Sequence, residues 1–465
     1  MVKIVEIDIR ELKDYDQLRD SVSETCIDDN VIARLKNYLG LRCKRVVVET
    51  PYRDKDYLST YYSHYSKKFQ DFSKDCYRIH VFMDDDEYAG CLLLRPTVAG
   101  TRIGTTYLDP RVLLDEKAYL MLSDFKIHVR GQDSTCTCFP WMMQETDITV
   151  CAHVALWTVL RYYGNRHSGY SDCTMGQVVD SVNEHWGRKT PSTGLTPVQV
   201  ADVLKNHGFS PIIRGSEKVQ NDMFLDEIIA YIESGIPIIA FIATKQHAIS
   251  IMGHGSIDYT RLDEPVIEQI KDDDGIVLHS KLIDSVYIME DNYFPYRQLS
   301  RRLPTATSDV DYHLREISYA VVPLYSRMQL VYNEVYERFV SLVRANVMDW
   351  GTLKVVRIYI TSSNSLKRFY ANTENIDGNL REVICGLQMP KFIWCIDISG
   401  TENYKNNLTS GKVIIDTTRS TSDKEPWLLM HDSSVVKYLD GKEIIEEEYV
   451  VTPYPSYINN LEEIN

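Results

Sequence analysis

Three features of the 465-residue chain predict an α+β protein. Helix start and stop signals crowd the stretch from about 149 to 235, apolar strand-like runs without intervening helices follow to 289, and mixed helical and strand-like segments lie on both sides. Helices followed by strands, rather than strict alternation of the two, is the pattern of segregated layers. At roughly 100–200 residues per domain the chain has room for two to four domains. Changes of pattern divide it into an N-terminal mixed α/β region over 1–130, a central α+β domain over 131–310 and a C-terminal mixed α/β region over 311–465.

In the first region, Val2 to Ile9 alternates like a strand, Val46 to Val48 is apolar, Tyr77 to Met83 alternates again, and Gly90 to Leu94 follows an acidic turn at 84–87. The polar, Tyr-rich segment from Asp54 to Phe72 has helical spacing. In the centre, Thr149 or Asp147 can cap a helix running to Tyr163, with Gly164 at its end. Thr174 with Gln177 forms a capping-box pattern, and Thr196 with Gln199 repeats it with Pro197 at the first helical position. A helix from about Asp222 to Ser234 stops at Gly235. Strands then follow at Ile236 to Ala243, Ala248 to Met252 and Leu282 to Met289. In the third region a strand from Ile317 to Pro323 leads into an amphipathic helix from about Gln329 to Val347. Strand candidates follow at Lys354 to Ile360, Phe392 to Ile398, Val413 to Thr417 and Trp427 to Met430.

Composition narrows the function. Lys and Arg total 51 against 66 Asp and Glu, a net charge of −15, which is the wrong sign for gripping a phosphate backbone over a broad surface. No nucleic-acid partner is expected. The longest apolar run, Ile236 to Ala243, is far shorter than the roughly 20 residues a membrane helix needs, and the alternating N-terminus lacks the pattern of a signal peptide. Ten scattered cysteines in a chain able to build its own cores suit reduced thiols. Together these point to a cytoplasmic protein without a membrane partner, a cofactor or a metal.

The chemistry-bearing residues converge on the central domain. Cys151 falls in the first turn of its helix, where backbone N–H groups and the helix dipole favour negative charge on sulfur. Gln144, seven residues earlier, can offer its amide beside the Cys151 backbone N–H as an oxyanion donor. His247 opens the strand that continues Ala248-Ile249-Ser250-Ile251, at a mouth where an imidazole can face a cleft. Asp291, at the end of the strand from Ser285, can accept a hydrogen bond from one His247 nitrogen and turn the other toward the thiol. Asn292 could do the same with less charge, and alternation along a strand directs Glu290 to the opposite face.

At these places the chain resembles the papain-like cysteine peptidases, most closely the branch that cuts after the double-glycine leaders of bacteriocins. The similarity covers about 130–300 and rests on Gln144, Cys151, Tyr162-Tyr163-Gly164, Gly235-Ile236-Pro237, His247-Ala248 and Asp291. Gly194-Leu195-Thr196 and a helix ending Asn206-His207-Gly208-Phe209 add to it. Two departures stand out: Ala152 follows the cysteine where the family usually has glycine, and Gln144 lies seven rather than six residues before it. The resemblance implies a central papain-like domain acting on a peptide or protein substrate. Cys151 would be nucleophile, His247 general base and acid, Asp291 its orienter and Gln144 part of the oxyanion hole. A thioester would form and be hydrolysed; an amine in place of water would give acyl transfer. The competing expectation is a non-catalytic interaction module on the same fold, with the flanking regions engaging a protein partner.

Other constellations carry less. Cys136-Thr137-Cys138 with His128 or His153 lacks the spacing and the second cysteine pair of a structural zinc site. Asp272-Asp273-Asp274-Gly275 lacks the alternating ligands of a calcium loop and reads as a solvated connection.

Overall fold

The computed structural model describes residues 2–98, 100–145, 148–182, 194–216, 222–301, 310–420, 423 and 427–464. It is an α+β protein built on three main sheets. The first is a five-stranded antiparallel meander of Lys3–Asp8, Arg45–Tyr52, Cys76–Phe82, Tyr88–Leu94 and Ile103–Leu108. The acidic run forms its expected turn, a single 3₁₀ turn at Asp84–Asp86. Asp54 caps the helix Lys55–Ser63 by accepting the Tyr57 N–H at 2.9 Å, but that helix ends well before Phe72.

The central sheet runs in the order Arg297–Ser300, Ser285–Met289, His247–Gly255, Ile238–Ile242, Tyr319–Val322 and Ile212–Gly215. Ala118–Leu120 pairs with the far end of the His247 strand and with Glu462–Ile464. This sheet therefore draws strands from all three stretches of the chain. Its core strands are buried along their whole length, which is why Ile238–Ile242 and Ser285–Met289 read as continuous apolar runs rather than alternating ones. The third sheet has seven strands, with Lys354–Ser362, Phe392–Ser399 and Gly411–Asp416 near its middle. Its first strand, Ile276–Leu278, comes from the central stretch and pairs in parallel with Lys354–Ser362.

The helix Cys151–Arg166, buried on nearly every side, packs on the His247–Gly255 and Ile238–Ile242 strands of the central sheet. Its N-cap is Val150, without a side-chain cap, because the Thr149 hydroxyl instead accepts the Glu145 N–H at 2.8 Å; Asp147, the other expected cap, is outside the described residues. The helix also continues past Gly164. That glycine serves packing rather than termination, since a Cβ there would stand 2.8 Å from the Asp172 backbone. Both expected capping boxes form, at Thr174/Gln177 and Thr196/Gln199. Gly235 ends the helix Asp222–Glu233 in the left-handed region, φ +70°, as its position suggests. The Asp272 loop is pinned rather than merely solvated: Asp272 accepts from Tyr336 at 3.0 Å, and Asp274 pairs with Arg344 at 2.9 Å. Among the described residues no helix is long and apolar enough to cross a membrane.

Candidate active site

Cys151 is the first residue of its helix and is half-buried. The opening turn of a helix leaves N–H groups without intrahelical acceptors, so negative charge is favoured there. A further donor comes from across the sheet. The Ala248 N–H points at Cys151 Sγ with a separation of 3.3 Å, which brings together helix and strand segments 97 residues apart in sequence. The strand carrying Ala248 begins one residue earlier at His247, immediately after Gln246, whose φ of 50° lies in the left-handed region. That tight reversal joins Ile238–Ile242 to the His247 strand and sets the imidazole at the sheet's end.

His247 Nε2 lies 2.8 and 2.7 Å from the two carboxylate oxygens of Glu290. Asp291, the expected partner, has its nearer oxygen at 3.6 Å, and neither of its oxygens accepts a hydrogen bond. The carboxylate that holds His247 is therefore Glu290. The physical reason is local: the strand ends at Met289, so Glu290 already lies beyond it and the alternation of faces no longer applies. With Nε2 given to Glu290, Nδ1 is the nitrogen left for the sulfur. Burial pushes the His247 pKa down, but the neighbouring Cys151 sulfur, its bond to Glu290 and the charges of Glu290 and Asp291 outweigh that and hold it at about 11.

Glu290 is almost fully enclosed and richly bonded. Tyr312 donates its hydroxyl to one carboxylate oxygen, and the Asn292 backbone and side-chain amides donate to the other at 3.1 and 3.0 Å. Trp141 Nε1 holds the Glu290 backbone carbonyl at 2.9 Å. Burial alone would raise the Glu290 pKa; the bond and charge of His247, with Tyr312 and Asn292, instead hold it well below the usual carboxylate range. Asp291 goes the other way. Its own burial and the Glu290 charge push its pKa well up, opposite to that of the carboxylate beside it.

Gln144 is brought to the same place, its side-chain amide donating to Asn292 Oδ1 at 3.1 Å. Asn292 thus bridges Gln144 to Glu290 rather than taking the place of Asp291. The segment bearing Gln144 is fastened to the N-terminal sheet. Arg95 donates to the Met143 carbonyl at 2.7 Å and pairs with Glu145 at 2.6 Å, while Tyr65 donates to the other Glu145 oxygen at 2.9 Å. Trp141 and Thr106 exchange backbone hydrogen bonds at 2.7 and 3.0 Å. Gln144 thus joins Glu290 through Asn292, Cys151 meets the residue next to His247, and the carboxylate bonded to His247 is Glu290 instead of Asp291. Tyr312 and Arg95 carry no motif, and only their proximity in the fold reveals them.

A second histidine–carboxylate group lies at the other end of the same strand. Glu233 meets His254 Nε2 at 2.6 Å and His279 Nε2 at 3.2 Å, all three buried. Either group has ligand atoms close enough for a metal ion. In the first, however, His247 and Glu290 already share a direct hydrogen bond, and in the second Arg357 occupies the remaining Glu233 oxygen and would oppose a cation. Comparison of the chain with protein-family models, curated proteins and solved structures gave no match.

Proposed function

We propose that the chain is a cysteine peptidase, a thiol hydrolase of peptide or amide bonds whose central domain follows the papain-like plan of the double-glycine leader peptidases. The observation that carries this reading is the His247 ring held by Glu290 on one nitrogen, with Cys151 at a helix start receiving the Ala248 N–H beside it. In this reading the Cys151 sulfur attacks the substrate carbonyl carbon. The developing oxyanion is met by the Cys151 backbone N–H and the Gln144 amide, which Asn292 orients. His247 gives its proton to the departing amine, leaving a thioester. It then takes a proton from water as the water attacks the thioester, releasing the carboxylic acid and restoring the thiol. Glu290 keeps the ring in position and stabilises its protonated form, the part the sequence had given to Asp291. A reducing, cytoplasmic setting suits a nucleophile that must stay a free thiol.

The test is cleavage of a peptide library by the purified chain, with products identified by mass spectrometry. Wild type should cut and Cys151→Ala should not, and a trapped acyl adduct should sit on Cys151. If added amines are incorporated in preference to water, the chain is an acyltransferase using the same group. Cleavage that survives Cys151→Ala would dismiss the assignment.

A further inference from the structure

The acidic balance of the chain makes one region conspicuous. Behind the C-terminal end of the Cys151–Arg166 helix, where the central sheet meets the C-terminal one, two adjoining cavities of about 460 and 790 Å³ share Arg166, His167, Tyr325, Ser362, Ser365 and Phe392 as walls. Arg368 lines the first, and Arg327 and Lys391 line the second. Among the described residues no aspartate or glutamate lines either cavity, although acidic residues outnumber basic ones by 66 to 51 in the chain. Arg327, Arg368 and Lys391 form no ion pair with a described residue, and Arg166 donates to the Leu122 carbonyl at 2.6 Å with one carboxylate near it, Glu462 at 3.8 Å.

The backbone adds to this charge. Ser362 caps the ten-residue helix Ser363–Asn372, accepting the Ser365 N–H at 3.0 Å, while the Ser363 N–H donates to the Lys391 carbonyl at 3.0 Å; Ser362 and Ser365 line both cavities, so the positive end of that helix dipole lies at their wall. Thr361 and Thr373 line one side and Thr417 and Thr418 the other, the Thr361, Thr417 and Thr418 hydroxyls being bonded to Tyr457, the Phe392 carbonyl and Asp416. Tyr325 and Phe392, stacked at 4.0 Å, give it an aromatic floor. His167 senses the field: burial and then the charges of Arg166 and Lys391 lower its pKa to about 4.

We propose that this joined cavity is a binding site for a phosphate-bearing small molecule, with Arg327, Arg368 and Lys391 meeting the anion and the helix start at Ser362 completing its cradle. A concave site of this size encloses a ligand of metabolite dimensions. The site is separate from Cys151 and does not depend on the peptidase reading.

Isothermal titration of the full chain with inorganic pyrophosphate and with ATP tests this. At least one should bind with a Kd below about 1 mM, weakening as salt is raised. Equal affinity for both assigns recognition to the phosphates alone; preference for ATP adds the aromatic floor. Arg368→Ala and Lys391→Ala should each cost about tenfold, the loss of one charge-assisted contact, with thermal unfolding unchanged. Lys126→Ala, an exposed cation on the strand Ser123–Val129, should change nothing. Absence of binding by either ligand, or binding that the Arg368→Ala/Lys391→Ala double variant leaves intact, would overturn the proposal.

Discussion

His247 and His254 sit at the two ends of one strand, each hydrogen-bonded through Nε2 to a buried glutamate, and their surroundings give them different work. The second nitrogen of His254 is taken by the Gly255 carbonyl at 2.7 Å, its glutamate is shared with Arg357 and His279, and its side chain is 1% exposed. His247 keeps a nitrogen for Cys151 and leaves 12% of its side chain exposed. A histidine–carboxylate pair is thus not in itself a sign of catalysis. What separates the two is an adjacent nucleophile and a way in from solvent. Arg357, which also donates to the Tyr457 carbonyl, makes the His254 group a tie between the central sheet and the C-terminal chain.

The most severe way to break this comparison is to exchange the losses. His247→Ala should lower kcat by about 10³-fold or more, as removal of a triad member does, while leaving thermal unfolding nearly unchanged. His254→Ala should do the reverse: turnover of the folded fraction is kept, but stability falls by about 3 kcal/mol because Glu233 loses a buried partner. Steady-state kinetics and denaturant unfolding of both variants read the contrast.

Glu290→Gln sharpens the comparison at the carboxylate. It should cost about 10–100-fold in kcat, general acid–base catalysis being worth roughly 10²–10⁴ in all. It should also move the alkaline limb of the pH–rate profile to lower pH, since the charge that holds up the His247 pKa is gone. The sign follows from the shifts. His247, raised from 6.5 to about 11, contributes stability fully present below 6.5 and lost as pH rises through about 11. Glu290, held below its ordinary 4.5, contributes stability present above 4.5 and lost as pH falls through its lowered value. Acid unfolding of Glu290→Gln should accordingly be less steep than that of wild type.

Smaller effects distinguish the neighbours. Tyr312→Phe removes one hydrogen bond to a charged oxygen and should cost about 1–2 kcal/mol in stability, with a few-fold fall in kcat. Asp291→Asn should be the mildest, within about 0.5 kcal/mol of wild type, because burial and the Glu290 charge already disfavour a charge on Asp291 and neither of its oxygens accepts a hydrogen bond. A large loss of kcat in Asp291→Asn with little in Glu290→Gln would restore the aspartate to the role first expected of it.

What could be read from the sequence was local. Thr174, Gln177, Thr196 and Gln199 act within one helical turn, and Gly235 within one helix end, so each forms as its spacing suggests. The strand from Phe392 and the long helix from about 332 follow from periodicity in the same way. The hidden parts depend on contacts far apart in the chain. Ile276–Leu278 pairs with a strand nearly 80 residues later, and Tyr312 reaches a carboxylate 22 residues back with no motif to mark it. Glu290 was obscured because strand alternation was carried one residue past the strand's end at Met289. Arg95 fastens the Gln144 segment from the N-terminal sheet, a role no local pattern announces.

The decisive measurement is the alkylation rate of Cys151 by iodoacetamide near neutral pH, followed by peptide mass mapping. Of the ten cysteines only Cys151 and Cys385 are not buried, so Cys385 supplies an internal reference. The account predicts that Cys151 reacts far faster than Cys385, and that His247→Ala removes the advantage while His254→Ala preserves it. Cys151 reacting no faster than Cys385, or equally fast with and without His247, would contradict it.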